Sequence, residues 1–553
     1  MTPPALKTRV FDLPPLVPGA KAPFSDAAAA RRWLEELPID NPRASNDLLR
    51  RQLALLTSCD MAPERRLEIL EALRPRVIAV QGEHAKKYRG KPAPQLPHRK
   101  ETLSEVVGLW EALCFAYQRC LESWPRADKG SAGVQAQALQ RALDAMCRLV
   151  MEHYYAYVAP PRAVYGALHR LYAYGERSGV ATLRVRDASG ESGDVSPRDT
   201  YVRALLFDAS LPREHRPHVL AVIYRLLTSW GEKVSVQPVA DPPSMEVPPL
   251  YTDLEKDRGL RHVHDPTTTA RQFDMSAVAR MIHERLHLLR HGRTPGEIDL
   301  SAELTPREFE SLLIALHRQW CEGTVKRQFE RQPTEALAHV STGLTAAHFY
   351  LSKRPFRQPF SSPALPARRG RTRADATAER VKVAADYLVD SKIIAEQWMI
   401  RDESLTGIGL IRPKAEQADA WLSHGLLIAV RPRGGNNALV GTIQWLEESK
   451  EGDLHVGVRL LPGVPTAIAA RVMGAEEYFP ALVLLPLPPL AAPSSVVLPT
   501  GTFAPQRLLE VFHQGVDRIQ LTALLESGVD FERVAFMPAG SVYVPTEVEA
   551  ATS

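Results

Sequence analysis

An aspartate, a serine and a glycine stand at short, fixed spacing in Asp402-Glu-Ser404-Leu-Thr-Gly407. Asp and Ser side chains hydrogen-bond to nearby backbone and favour tight turns, and Gly407 supplies φ > 0 where the chain reverses. No histidine lies close to them in sequence, so hydrogen bonding accounts for Asp402 and Ser404 better than catalysis does. Apolar residues alternate around the turn: Ile400 before it, Ile408 and Leu410 after it, Ile443 and Trp445 later, then Val456, Val458 and Leu460. A period of two reads as strands. The stretch therefore predicts a polar turn on the rim of a small antiparallel barrel, a place suited to a small polar ligand.

A second constellation is His283-Glu284-Arg285-Leu286-His287 on an expected helix. This spacing puts both imidazoles on one helix face, where they suit Zn²⁺, with Glu284 as general base. A zinc metallohydrolase is thus one reading. Against it, Arg285 places a charge inside the motif, His291 completes no obvious ligand set, and Glu297 or Glu303 would have to serve as third ligand. Histidines on an amphipathic helix that also carries Arg280, Arg285 and Arg290 is the simpler account. Gly-Lys-(Ser/Thr) and Gly-x-Ser-x-Gly are both absent, and Gly434-Gly435-Asn436-Asn437 reads as a turn between strands.

The barrel stretch resembles the PilZ domain family, small β-barrels that bind the bacterial messenger cyclic di-GMP. Asp402, Ser404 and Gly407 match the family's (Asp/Asn)-x-Ser-x-x-Gly motif. Gly441-Thr-Ile-Gln-Trp445 and His455-Val-Gly457-Val-Arg-Leu-Leu461 look like its closing hairpin. The resemblance implies an Arg-x-x-x-Arg motif on the way into the barrel, and two candidates exist. Arg327-Gln-Phe-Glu-Arg331 has the spacing and a strand-like stretch after it, Ala336 to Leu344, but lies far from Asp402, which would make residues 345–395 an insertion. Arg369 and Arg373 lie closer, in a Pro/Ser/Arg-rich linker, and Ala374–Val389 after them reads as helix or strand equally well. Arg327 and Arg331 are favoured. Guanidinium forks suit phosphate and guanine O6/N7. By resemblance the arginines grip phosphates and guanine edges, Asp402 and Ser404 hydrogen-bond a guanine, and no further cofactor is needed. A degenerate barrel that binds only protein is the alternative.

The rest of the chain must hold this site. Its 553 residues are enough for several domains, and 45% hydrophobic with 24% charged residues is ordinary soluble composition. A formal charge of +4 without a long basic block argues against a nucleic-acid partner. Cys59, Cys114, Cys120, Cys147 and Cys321 are scattered and read as buried thiols of a reducing compartment. No apolar signal core or membrane-spanning run is visible, so no membrane insertion and a cytoplasmic address are expected.

The expected fold class is multidomain α + β. Residues 1–24 read as a disordered tail, and 25–320 as an α-helical docking or output region built from helical hairpins, with an unidentified protein partner. Residues 321–466 read as the PilZ-like antiparallel β-barrel, 467–545 as a small β-rich C-terminal module, and 546–553 as a tail. Within the helical region, Ser25-Asp26 caps a helix at Ala27–Leu37, Ser276–Arg290 is a helix, and Thr305 with Glu308 caps another that runs to Glu322. Lys233–Val239 reads as a strand. Tyr154, Tyr155, Tyr157, Tyr165, Tyr172 and Tyr174 either line a groove or edge the helical core.

Overall fold

The computed structural model describes residues 10–124, 129–186, 193–239, 245–298, 300, 303–323, 331–359, 395–414, 421–435, 437–487, 493–513 and 515–542. The chain divides into two compact units, residues 1–91 with 95–326 and residues 92–94 with 327–553.

The first unit holds helices α1 (Ala27–Glu35), α2 (Pro42–Ser58), α3 (Pro63–Ala85), α4 (Pro97–Ser123), α5 (Ala132–Tyr155), α6 (Ala163–Ser178), α7 (Pro197–Ala209), α8 (Pro217–Trp230), α9 (Ser276–Arg290) and α10 (Pro306–Cys321). Six of them open on proline, whose missing N–H and fixed φ cost nothing in a first helical turn. Asp26 caps α1, and reciprocal capping boxes start α7 (Ser196 with Asp199) and α10 (Thr305 with Glu308). Sequence neighbours pack together, α4 on α5 and α7 on α8, and so do next-but-one helices, α2 on α4 and α5 on α7.

One apolar cluster runs through this unit. The proline-rich start belongs to it: Phe11, Leu13 and Phe24 are buried, and Arg119 donates to the Pro14 carbonyl. Residues 10–24 are thus laid onto the helices rather than forming a tail, because three large apolar side chains among the prolines provide an anchor.

The tyrosines are core residues. Tyr154 and Tyr165 both donate to the half-buried Asp208 carboxylate, Tyr172 stacks on Tyr201 at 4.2 Å, and Tyr174 donates to Gln135. Burial pushes Asp208 above the ordinary carboxylate range against these two hydrogen bonds. All five cysteines are free and buried. The antiparallel pair β1 (Val185–Arg186) with β2 (Asp194–Val195) was not expected. The strand expected at Lys233–Val239 is β3 (Ser235–Pro238), and it lies in a sheet with β4 (Leu250–Asp253) and β5 (Ala270–Asp274), which were not expected.

The second unit holds two closed six-stranded barrels. The first contains β6 (Gln332–Thr342), β7 (Glu396–Ser404), β8 (Gly407–Arg412), β9 (Leu427–Pro432), β10 (Leu439–Glu448) and β11 (Leu454–Leu460), closed in the order β10-β11-β8-β7-β6-β9. Trp398, Ile400, Ile408, Leu410, Val430, Ile443, Val456 and Val458 fill it. The expected insertion after β6 begins as helix α11 (Leu344–Ser352). The second barrel contains β12 (Val464–Val472), β13 (Phe479–Leu485), β14 (Ser495–Leu498), β15 (Leu508–Phe512), β16 (Val516–Ser527) and β17 (Glu532–Val542). Its own core includes Ile468, Ala481, Val496, Leu509 and Leu521. Leu344, Ala347 and Tyr350 of α11 lie in a separate buried cluster with Leu427 and Val440 of the first barrel and Leu482 and Phe531 of the second. That shared seam makes one unit of the two barrels.

Candidate functional site

Ser404 and Gly407 pair across a two-residue loop that joins β7 to β8, and Ser404 Oγ donates to the Gly407 carbonyl at 3.2 Å. Gly407 itself is not in the left-handed region. The turn-glycine expectation is corrected here, and the need for glycine is spatial: a Cβ would sit 3.0 Å from the Val458 carbonyl oxygen and 3.4 Å from Arg331 Nη2.

Beyond the loop, one row crosses the outer face of the barrel. Pro333 pairs with Asp402, Asp402 with Gly409, Gly409 with Gly457, and Gly457 with Trp445. Directly paired residues share a face, so two glycines form a floor between a carboxylate and an indole. A Cβ on Gly409 would meet the Asp402 carboxylate at 2.8–2.9 Å, and one on Gly457 would collide with the Trp445 ring.

Register shifts flank this floor on both sides. One falls between Ile400 and Asp402, the other between Ile443 and Trp445. Each inserts an extra residue, Arg401 or Gln444, and re-aims the next side chains along the strand. Without the second shift Trp445 would continue the inward phase of Ile443. With it, the ring lies over Gly457. The strand alternation that groups Trp445 with the core residues is corrected by this bulge.

Asp402 is the electrostatic centre. Arg331 Nη1 pairs with its Oδ1, and Arg401 Nε pairs with Oδ2 at 2.7 Å. Burial pushes the carboxyl pKa up, but hydrogen bonds from Arg401 and Arg331 prevail and hold it below the ordinary range. The Arg401 guanidinium also lies 5.8 Å from the Trp445 ring centroid, within cation–π range.

The structure thus brings together Arg331, Asp402, Ser404 and Gly407. Arg327, Arg369 and Arg373 lie outside the described residues, as does Ala374–Val389. Sequence reasoning missed Arg401, Gly409 and the outward role of Gly457 and Trp445. The available signal was Gly-x-Gly at 407–409 opposite Val-Gly-Val at 456–458, since paired glycines on neighbouring strands let other groups approach the backbone closely.

The histidine motif is arranged differently. His283 packs on His317 at 4.5 Å between ring centroids, and His287 on His291 at 4.1 Å. Among the described residues no group of three or more His, Cys, Asp or Glu side chains is placed to hold a metal.

Comparison with known proteins bears on the same architecture. Residues 28–242 match the N-terminal domain of the cyclic-di-GMP receptor FimW, residues 241–395 its middle PilZ domain, and residues 467–539 the FimW C-terminal β-barrel domain. The chain belongs to the FimW family of PilZ-domain proteins. The cyclic-di-GMP receptor FimW of Pseudomonas aeruginosa is 22% identical, over 95% of this chain and 93% of its own. The middle-domain match stops at residue 395, one position before β7 begins, while the strand pairing carries the FimW-type PilZ barrel on through β11 at Leu460. Among the described residues no helix is long and apolar enough to cross a membrane.

Proposed function

We propose that this chain is a non-catalytic, cytoplasmic signalling receptor that binds cyclic di-GMP on the outer face of its first barrel. The observation that carries the reading is the convergence of Arg331 and Arg401 on Asp402 beside a floor of glycines. Cyclic di-GMP has two phosphates and two guanines. The Asp402 carboxylate is an acceptor for the N–H groups of a guanine Watson–Crick edge. The guanidiniums of Arg331 and, by family resemblance, Arg327 suit phosphate oxygens or guanine O6/N7. The indole of Trp445 lies over Gly457 and offers a flat base an apolar face to stack on, beside the Asp402 carboxylate over Gly409. Ser404 and Gly407 set the turn that keeps this edge open. Each hydrogen bond to a charged group contributes about 1.5–3 kcal/mol, so losing one weakens binding by about tenfold to a hundredfold.

Isothermal titration of cyclic di-GMP into the full chain tests this. Binding in the micromolar range or tighter is expected, with loss of about 100-fold or more in Asp402→Ala and Arg331→Ala. A wild-type chain that takes up no nucleotide would replace this reading with that of an adaptor whose barrel binds only protein.

The helical unit is the output surface for a protein partner. Arg331 lies five positions past residue 326, where the helical unit ends (331 − 326). Ligand capture there fixes the junction and biases domain orientation, a population shift driven by differential affinity. Small-angle scattering profiles that differ with and without saturating nucleotide are expected, and superimposable profiles would remove the relay.

A further inference from the structure

The outer face of the first barrel extends past the row from Asp402 to Trp445. One step along the strands, Ser404 pairs with Gly407, Gly407 with Arg459, and Arg459 with Thr442. Arg459 therefore stands on the floor side, two residues beyond Gly457. Neighbouring strands lie about 4.8 Å apart, so its backbone is roughly 5 Å from Gly407 and roughly 10 Å from Ser404. An extended arginine covers that distance.

The Arg459 side chain is 41% exposed, and its Nη2 donates to Glu526 Oε1 at 2.6 Å. Glu526 belongs to β16 of the second barrel. The same carboxylate accepts from Thr442 Oγ1 at 3.0 Å and lies 3.6 Å from Arg533 Nε. One carboxylate thus serves two guanidiniums. Arg533 Nε is buried without a hydrogen-bond partner. Burial lowers the Arg533 pKa, Glu526 opposes that, and the charge of Arg459 adds to it. The cluster carries excess positive charge at the border of a floor that already holds Asp402 and Arg331.

We propose that Arg459 is a further ligand-contacting residue, directed at an anionic group of the ligand, and that Glu526 holds it when the site is empty. This rests on the cyclic di-GMP reading above. On binding, a ligand phosphate replaces Glu526 as the partner of Arg459. Glu526 keeps Thr442 and turns to Arg533, so the exchange costs less than stranding a buried carboxylate would. The tie between β11 and β16 loosens, and occupancy of the first barrel is felt in the second.

The test is titration of cyclic di-GMP into the full chain as wild type, Arg459→Ala, Arg459→Lys and Glu526→Gln. Arg459→Ala is expected to bind about tenfold weaker or worse, with part of the loss restored in Arg459→Lys. Glu526→Gln removes the competing charge and is expected to bind severalfold tighter, an effect that a merely structural pairing would not give. Wild-type binding with an unchanged Arg459→Ala overturns this proposal alone, whereas a wild type that binds nothing overturns the receptor reading and this one with it. If Arg459→Ala does not melt cooperatively, Glu526→Gln decides, and equal or weaker binding in it overturns the proposal.

Discussion

The two barrels share strand number, antiparallel closure and a common apolar seam, yet their outer faces differ in what they leave empty. Strands β6–β11 carry three outward-facing glycines, Gly407, Gly409 and Gly457, whereas β12–β17 carry one glycine, Gly540. In the first barrel, the Asp402 carboxylate and the Trp445 ring fold across the glycines from neighbouring strands. In the second, the comparable cross-strand row is Arg471, Glu510 and Arg518, with the carboxylate between the arginines and Arg471 seated 4.6 Å from the Tyr478 ring centroid. That row spends its charges on itself. A barrel face becomes a site for a flat, charged ligand when arginines and carboxylates border missing side chains rather than one another's.

The comparison is broken most directly by filling the floor. Gly409→Val puts a branched side chain where even a Cβ would crowd Asp402. The position faces outward, so the core residues of β8, Ile408 and Leu410, keep their places. Loss of cyclic di-GMP binding by about 100-fold or more is expected, with a melting temperature within a few degrees of wild type. The matching change in the second barrel is Gly540→Ala. Gly540 has φ +110° and nothing within 4 Å of an added Cβ, so its glycine serves conformation and not space. Backbone strain of about 1–3 kcal/mol is expected there, with binding unchanged. Titration and thermal melting of both variants separate the two roles. Retained binding in Gly409→Val would place the ligand away from the floor.

How much of this could be read from the chain depends on which signals are local. The turn at Asp402–Gly407, the alternation in β8 and β11, and the capping boxes of α7 and α10 are short-range, and a sequence displays them. The strands Ser495–Leu498 and Leu508–Phe512 of the second barrel are compact apolar runs between turn residues, and they stand out for the same reason. Arg401 and the outward aim of Trp445 did not show, because a β-bulge is a disagreement between two strands and only their register reveals it. Arg459 looked like one more polar residue on an alternating strand. Its standing comes from Glu526, 67 positions away. Phe11 and Leu13 are hidden in the sequence by the prolines around them, which suggest a tail, and only the packing of the helices shows them to be core.

A finer contrast lies in two carboxylates with opposite shifts. Asp402 of the first barrel is burdened by burial but held below the ordinary aspartate range by Arg401 and Arg331. Asp530, in the turn between β16 and β17, accepts from the Leu427 backbone N–H at 2.9 Å, and its Oδ2 is buried without a partner. Burial raises its pKa against that hydrogen bond. Their effects on folding have opposite signs. For Asp402 the native state binds fewer protons than the unfolded chain, so its contribution is complete above the ordinary aspartate pKa and fades as pH falls through the lowered native value. For Asp530 the native state holds its proton longer, so stability declines as pH rises from the ordinary value to the raised native one, then levels off. Asp530→Asn keeps the acceptor for Leu427 and removes the charge. Between about pH 3 and 7, Asp402→Asn should lose stability relative to wild type as pH rises to about 4, and Asp530→Asn should gain it from about 4 upward. Melting temperatures of the three proteins across that range check the signs. A wild-type-minus-Asp530→Asn difference that stays flat with pH would mean that the turn carboxylate is solvated, and that the barrels meet less tightly there than the Asp530–Leu427 bond indicates.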